Sequence, residues 1–350
     1  MQDDAPVMDT GILPWHVEIA RTWLSSRERF AHAWLIHGAT GIGKLQFARA
    51  CASSMLCENP QGHLACGACD ACLWLRHGNH PDFRALRPEA IAATEGPFVA
   101  AEDAAPRSKT LSRDIRIEQV RALETWLNTA THRGGDRIVL LYPAEALNAV
   151  SANALLKILE EPPAHTVFLI VADAPDRLLP TLVSRCRRLP LAPPAPDAAL
   201  QWLRAEGVKD AAAYLAAAGG APLAAARLAE SGSEACPGWL RRWLQALAAG
   251  RAGAVVPELV TDLEKQPAEQ WLDAFQRVLT DLACVQAGAP ARYYPGLANL
   301  LAEAASRVSR VQVTQTARWL TSQQRVSRHP LNPGLFTHAV LLRVSGLAAA

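Results

Sequence analysis

The sequence predicts an α/β domain built around a phosphate-binding loop and followed by helical segments. Three observations carry that expectation. Two continuous apolar runs, Ile138 to Tyr142 and Val167 to Val171, bracket a helical pattern, as strands buried on both faces of a parallel sheet do. Gly38-Ala39-Thr40-Gly41-Ile42-Gly43-Lys44 lies between a short apolar run and a helical one, the setting a phosphate loop needs. From about Ala198 onward the apolar residues recur at helical spacing. The 350 residues suffice for two or three domains. A net charge of +2 argues against a basic protein that wraps DNA. No apolar run reaches membrane-spanning length, and MQDDAPVMDTG lacks the features of a signal peptide, so the expectation is a cytoplasmic protein. In that reducing compartment clustered cysteines read as metal ligands rather than disulfides.

Taken in order, Trp15 to Arg27 has helical spacing, and Trp34 to His37 makes a strand that runs into the glycine-rich loop. Glycines let backbone amides curl around phosphate oxygens, the next helix presents its positive end, and Lys44 adds a point charge. The position after Lys44 should carry the hydroxyl that holds magnesium, but it is Leu45. Cys57, Cys66, Cys69 and Cys72 follow at a spacing that lets four thiolates surround one zinc ion, with Gly67 easing the tight turn. Four thiolates leave no open position, so such a metal is structural. Unligated cysteines packed as small hydrophobes, or His63 replacing one ligand, are the alternatives. Cys51, Cys186, Cys236 and Cys284 lack any such spacing and read as core.

His80-Pro81-Asp82-Phe83 leads into a short strand, and residues 88–110 read as a mobile surface insertion without periodicity. Order resumes at Ile115, with a helix from Glu118 to about Ala130 whose Val120, Leu123, Trp126 and Leu127 share a face, then a return loop holding Gly134-Gly135. After the strand at 138–142 comes a helix in which Ser151 can cap the start and Pro162-Pro163 stops the end. Strand–helix–strand with such short links is a parallel βαβ unit. Beyond Ser184-Arg185-Cys186 lies a third apolar run. Leu189 to Pro196 is a proline-stiffened linker, and small helices fill Ala198 to about Leu228. From Ser233 two stripes stand out, Trp239, Leu240, Trp243, Leu244, Leu247 and Trp271, Leu272, Phe275, Val278, Leu279, and Asn332-Pro333 opens a last helix.

The residues NALLKILEEPP at 153–163, followed by SRC at 184–186, resemble the clamp-loader branch of the AAA+ ATPases, which open a sliding clamp and place it on DNA. Within that branch the chain is most similar to the delta-prime family of bacterial DNA polymerase III, over roughly residues 12 to 230. The resemblance implies an AAA+ domain over 1–190 with a zinc module at 57–72, a helical lid over 191–232 and a helical collar over 233–350. It implies hetero-oligomeric assembly with motor subunits and a delta subunit, reaching the sliding clamp and primer-template DNA through the complex, away from any membrane. It also implies that Arg185 projects into the nucleotide site of the adjacent subunit, where a guanidinium meets charge developing on the γ-phosphate. Lys157 and Glu160-Glu161 belong to the family signature and read as helix-face and interface residues, while Arg187 and Arg188 flank the next strand.

In an active member the strand at 138–142 would end in an acidic pair. Here it ends in Tyr142-Pro143, with Glu145 beyond the strand end. An active lid would carry an arginine near Gly219-Gly220, where this chain has Gly220-Ala221-Pro222-Leu223. With Leu45 these are three missing catalytic parts, so the expectation is a subunit that does not hydrolyse ATP. Two readings of Gly38, Gly41, Gly43 and Lys44 stand: residual nucleotide binding, or a loop kept for its turn with Lys44 solvated or salt-bridged. The rival functions are an ATP-hydrolysing motor subunit of the same machine and a stand-alone zinc-containing nucleic-acid-binding protein. Leu45 and Tyr142-Pro143 weigh against the first, near-zero net charge against the second.

Overall fold

The computed structural model describes residues 11–95, 111–129, 131, 135–327 and 332–348, with Glu28 and Arg325 described by backbone alone. The chain groups into two units, Met1–Ala198 and Ala199–Ala350. The first holds one parallel sheet of β1 (Ala33–His37), β2 (Phe83–Leu86), β3 (Arg137–Leu141), β4 (Thr166–Ala172) and β5 (Arg187–Pro190), in the order β2-β3-β4-β1-β5. Helix α1 (Val17–Leu24) precedes the sheet, and α2 (Lys44–Leu56), α3 (Asp70–Arg76), α4 (Glu89–Glu95), α5 (Ile117–Leu127), α6 (Ala149–Glu160) and α7 (Pro180–Ser184) lie in the connections between strands. Every residue of β3 and β4 is buried, which is why these two read as unbroken apolar runs.

At the sheet's edge the residues are mostly exposed, and β5 carries Arg187 and Arg188 within the strand rather than beside it. The Arg187 guanidinium lies over the Trp34 ring at 5.3 Å, so the cation keeps its water while its stem covers the neighbouring strand. Charge along an edge also discourages pairing with another sheet. Leu189 and Pro190 therefore belong to β5, and Pro196 opens the next helix, leaving only 191–195 of the expected linker as irregular chain.

Two further expectations change. Helix α6 is capped by Asn148, whose Oδ1 accepts from the Val150 and Ser151 amides at 3.1 and 2.9 Å. Ser151 lies inside the helix and donates its hydroxyl to the Ile115 carbonyl at 2.7 Å, tying the helix to the chain before α5. Residues 88–95 are not patternless. Glu89–Glu95 forms α4, held by Glu95, while residues 96–110 lie outside the described residues, as do 1–10 and Gly134.

The second unit is helical. Helix α8 (Pro196–Ala205) leads into it, and α9 (Ala211–Ala217) and α10 (Pro222–Glu230) complete a small core of Ala199, Leu203, Leu215 and Ala225. Helices α11 (Gly238–Ala248), α12 (Val256–Leu263), α13 (Ala268–Gln286), α14 (Ala298–Arg307), α15 (Arg310–Val326) and α16 (Pro333–Ser345) enclose a larger one. There the Trp243 and Phe275 rings meet edge to face at 5.1 Å. The two predicted stripes face this core. Asp281 is fully buried among them. Its carboxylate accepts from the amides of Arg292 at 2.7 Å, Tyr293 at 2.9 Å and Tyr294 at 2.7 Å, closing the turn after α13. Asp281→Ala orphans three amides at once and is expected to destabilise this unit by about 3–5 kcal/mol, read as a lower urea midpoint. Asp281→Asn, which keeps one carbonyl acceptor, should lose less.

Candidate phosphate loop, arginine and metal centre

Strand β1 lies between β4 and β5, with His37 paired to Ala172 on one side and Pro190 on the other. The loop leaving β1 therefore emerges beside Asp173, the first residue after β4. A Cβ on Gly38 would sit 2.3 Å from the Leu191 carbonyl oxygen, which no side chain can tolerate. Gly41 and Gly43 take left-handed φ of 83° and 97°. Trp15 Nε1 donates to the Ile42 carbonyl at 3.0 Å and pins the loop from outside. The loop thus has the turn geometry its sequence predicts.

Lys44 is only 4% exposed. Its Nζ donates to the Ala39 carbonyl at 2.7 Å and pairs with Asp173 Oδ1 at 2.5 Å. Asp173 is in turn fixed by Glu145, whose Oε1 accepts from the Asp173 and Ala174 amides at 2.6 and 2.5 Å. Glu145 is committed to bracing the turn after β4. Sequence reasoning missed Asp173. The available signal was an acid directly after an apolar strand, meaningful only once β4 is known to neighbour β1.

The strand-end position is equally altered. Tyr142 is buried and its hydroxyl accepts from Arg49 and Arg87, each at 2.9 Å, while donating to Glu95. Both guanidiniums also pair with Glu95 Oε2, at 2.9 and 2.7 Å. Burial raises the Tyr142 pKa, so the phenol stays neutral. Two guanidiniums and one carboxylate therefore surround the Tyr142 hydroxyl just past the end of β3, and Leu45 supplies no oxygen to the phosphate loop.

Arg185 caps the C-terminus of α7. Its Nη1 donates to the Thr181 carbonyl at 2.9 Å and its Nη2 to the Glu160 carboxylate, with the side chain one-third exposed at 33%. These bonds go to α6 and α7 and not to the phosphate loop. Cys186, next in the chain, is buried and donates its thiol to the Leu182 carbonyl at 3.2 Å. The Lys157 ammonium makes an exposed pair with Glu124 at 3.6 Å.

The ligand atoms of Cys57, Cys66, Cys69 and Cys72 all lie within 4.8 Å of one another. Sulfur–sulfur separations of 3.5 Å (Cys57–Cys66) and 3.8 Å (Cys57–Cys69) are too long for disulfides. They fit the edge of about 3.8 Å that a tetrahedron with metal–sulfur bonds of about 2.3 Å requires. The group can hold a metal ion. Amides of Cys66 and Cys69 point at the Cys57 and Cys66 sulfurs at 3.3 and 3.4 Å, as they do toward thiolates. Hydrogen bonds from the Ala68 and Cys69 amides lower the Cys66 pKa to about 6, whereas burial pushes Cys72 up to about 12. Gly67 turns with φ 73° and its carbonyl accepts from Arg76 at 2.8 Å. His63 is exposed and outside the group. Of the remaining cysteines, Cys51 and Cys186 are buried, and Cys236 and Cys284 only half-buried.

Comparison with known proteins gives a consistent set of similarities. The profile of the family described as DNA polymerase III, delta subunit matches residues 21–195, half of the chain. DNA polymerase III subunit delta' of Pseudomonas aeruginosa is 40% identical over 222 residues, covering 62% of this chain and 61% of that one. The Escherichia coli protein of the same name is 38% identical over 186 residues, 53% of this chain and 50% of that one. Subunit tau of Escherichia coli is 34% identical over 158 residues, 45% of this chain and 21% of that one. The matches thus span about half to three-fifths of the delta' relatives' length.

Beside the loop, His16 is 2% exposed and neither ring nitrogen has a partner among the described residues. Burial, with Lys44 adding to it, lowers its pKa from 6.5 to about 4. The folded form keeps the ring neutral while the unfolded form protonates near 6.5, so His16 costs stability progressively as pH falls from about 6.5 to 4. Thermal melts of His16→Phe should accordingly lose less Tm between pH 7 and pH 4.5 than the parent chain.

Proposed function

Because this chain belongs to the DNA polymerase III delta-subunit family, we propose that it serves as a delta-prime-type subunit of a clamp loader that does not itself hydrolyse ATP. In this reading it assembles with motor subunits and a delta subunit and helps place a sliding clamp on primer-template DNA. Residues 191–232 act as the lid and 233–350 as the collar through which the subunits associate. The four cysteines hold a structural zinc, and the setting is cytoplasmic. No helix among the described residues is long and apolar enough to cross a membrane.

The observation that carries the reading is the contrast between two cations. Lys44 is buried and bound to the chain's own Asp173, and the next residue, Leu45, has no hydroxyl to offer magnesium. Phosphoryl transfer rests on positioning and on stabilising charge, and both need the metal and a lysine free to meet phosphate. Arg185 is partly exposed at the end of a short helix, and a planar fork supplied from one subunit to the next suits a γ-phosphate better than lysine would. Arg185 then acts in trans, as a finger for a neighbour's nucleotide.

The purified chain is expected to release no phosphate from ATP, and magnesium-dependent turnover abolished by Lys44→Ala would overturn the reading. In a reconstituted complex, Arg185→Ala should assemble normally and lower DNA-stimulated ATPase at least about tenfold, arginine fingers in trans being worth on the order of 10³–10⁵. The metal has its own test. Protein purified without chelator should carry about one zinc, and Cys69→Ser should lose it and open residues 57–76 to protease.

A further inference from the structure

We propose that Glu160 is the positioning residue for Arg185, which gives a role to the acidic end of the 153–163 motif. The inference rests on the reading of Arg185 as a group offered to a neighbouring nucleotide. It explains how a side chain with four rotatable bonds can be aimed before that nucleotide arrives.

Two motifs separated in sequence meet here in one hydrogen bond. Glu160 is the last residue of α6, because Pro162-Pro163 cannot continue the helix. Arg185 is the cap of α7, whose five residues begin at Pro180. Its backbone is held by the Arg185 amide to the Leu182 carbonyl at 3.2 Å, and by the next amide, Cys186, to the Val183 carbonyl at 3.3 Å. The buried Cys186 thiol adds a third tie. The root of the arginine is therefore fixed, and what remains is its tip.

Each terminal nitrogen of the guanidinium spends one N–H within the chain. Nη1 meets the Thr181 carbonyl, one of the carbonyls a helix end leaves unpaired, at 2.9 Å. Nη2 meets the Glu160 carboxylate. A guanidinium has five N–H donors, so three are left to meet an anion. An exposed ion pair contributes only about 0–1 kcal/mol to stability, so fold maintenance is a weak reason for this contact. Ordering is a better one. Fixing a free arginine costs up to about 2 kcal/mol of side-chain entropy, and an arginine already ordered by two bonds meets the transition state without that cost. Glu161, one residue on, makes no such contact among the described residues, so the role falls to one of the paired acids.

The test uses the complex assembled from full chains carrying Glu160→Ala, Glu160→Gln, Arg185→Ala, or Glu160→Ala with Arg185→Ala. Glu160→Ala should lower kcat of the DNA-stimulated ATPase about tenfold, within the ~10² that a misplacement of 1 Å can cost, and leave KM for ATP within about twofold. Glu160→Gln keeps the accepting oxygen and should recover most of the rate. The double variant should be no slower than Arg185→Ala alone, since the two residues act as one unit. Unchanged or raised kcat in Glu160→Ala, alongside a slow Arg185→Ala, would overturn the inference and leave the reading of Arg185 standing. An Arg185→Ala complex as fast as the parent would overturn that reading and the inference with it. Failure of Glu160→Ala to co-elute with the complex would also overturn it, by making Glu160 an assembly residue.

Discussion

The parallel pairing of β1 with β4 is the constraint on which the phosphate loop depends. Because His37 stands opposite Ala172, the loop opens beside the first residue after β4, and that residue is an acid. Asp173 can then meet Lys44 without any movement of the sheet. The parallel pairing of β3 with β4 likewise brings Glu145, just after β3, to the turn after β4. Three side chains on three segments are thereby brought within reach of one salt bridge and two hydrogen bonds. The chemistry of the loop is decided by its neighbours more than by its glycines.

Much of this was legible in the residues. Continuous apolar strands announce a doubly covered sheet, and glycines at 38, 41 and 43 announce the loop, because those signals depend on local chain geometry. The cysteine spacing pointed to a group able to hold a metal for the same reason, since four thiols close in sequence need little of the rest of the fold to meet. What stayed hidden is relational. Asp173 opposite Lys44, Glu160 opposite Arg185 and Glu95 between two arginines each join segments that only the folded topology brings together. Local capping was misread at α6, where Asn148 and Ser151 are equally good caps by type. The Ile115 carbonyl claims the serine hydroxyl and leaves the asparagine at the end.

The cysteine knuckle is tied to the phosphate loop through one helix. Ser54, near the end of α2, donates to the Ala50 carbonyl at 2.8 Å and accepts from the Ala65 amide at 2.9 Å. The helix that begins at Lys44 thus ends against the segment that the cysteines fold. A metal there would steady α2 from its far end, through packing and one hydroxyl, while taking no part in chemistry.

Leu191 has a double attachment. Its amide donates to the His37 carbonyl at 2.8 Å, and its own carbonyl fills the space where a Gly38 side chain would be. The strap that leaves the sheet toward the helical half of the molecule therefore starts in contact with the first glycine of the loop. Any displacement of Leu191 would therefore act on the end of β1 and on the start of the loop together, through the His37 carbonyl and the space over Gly38.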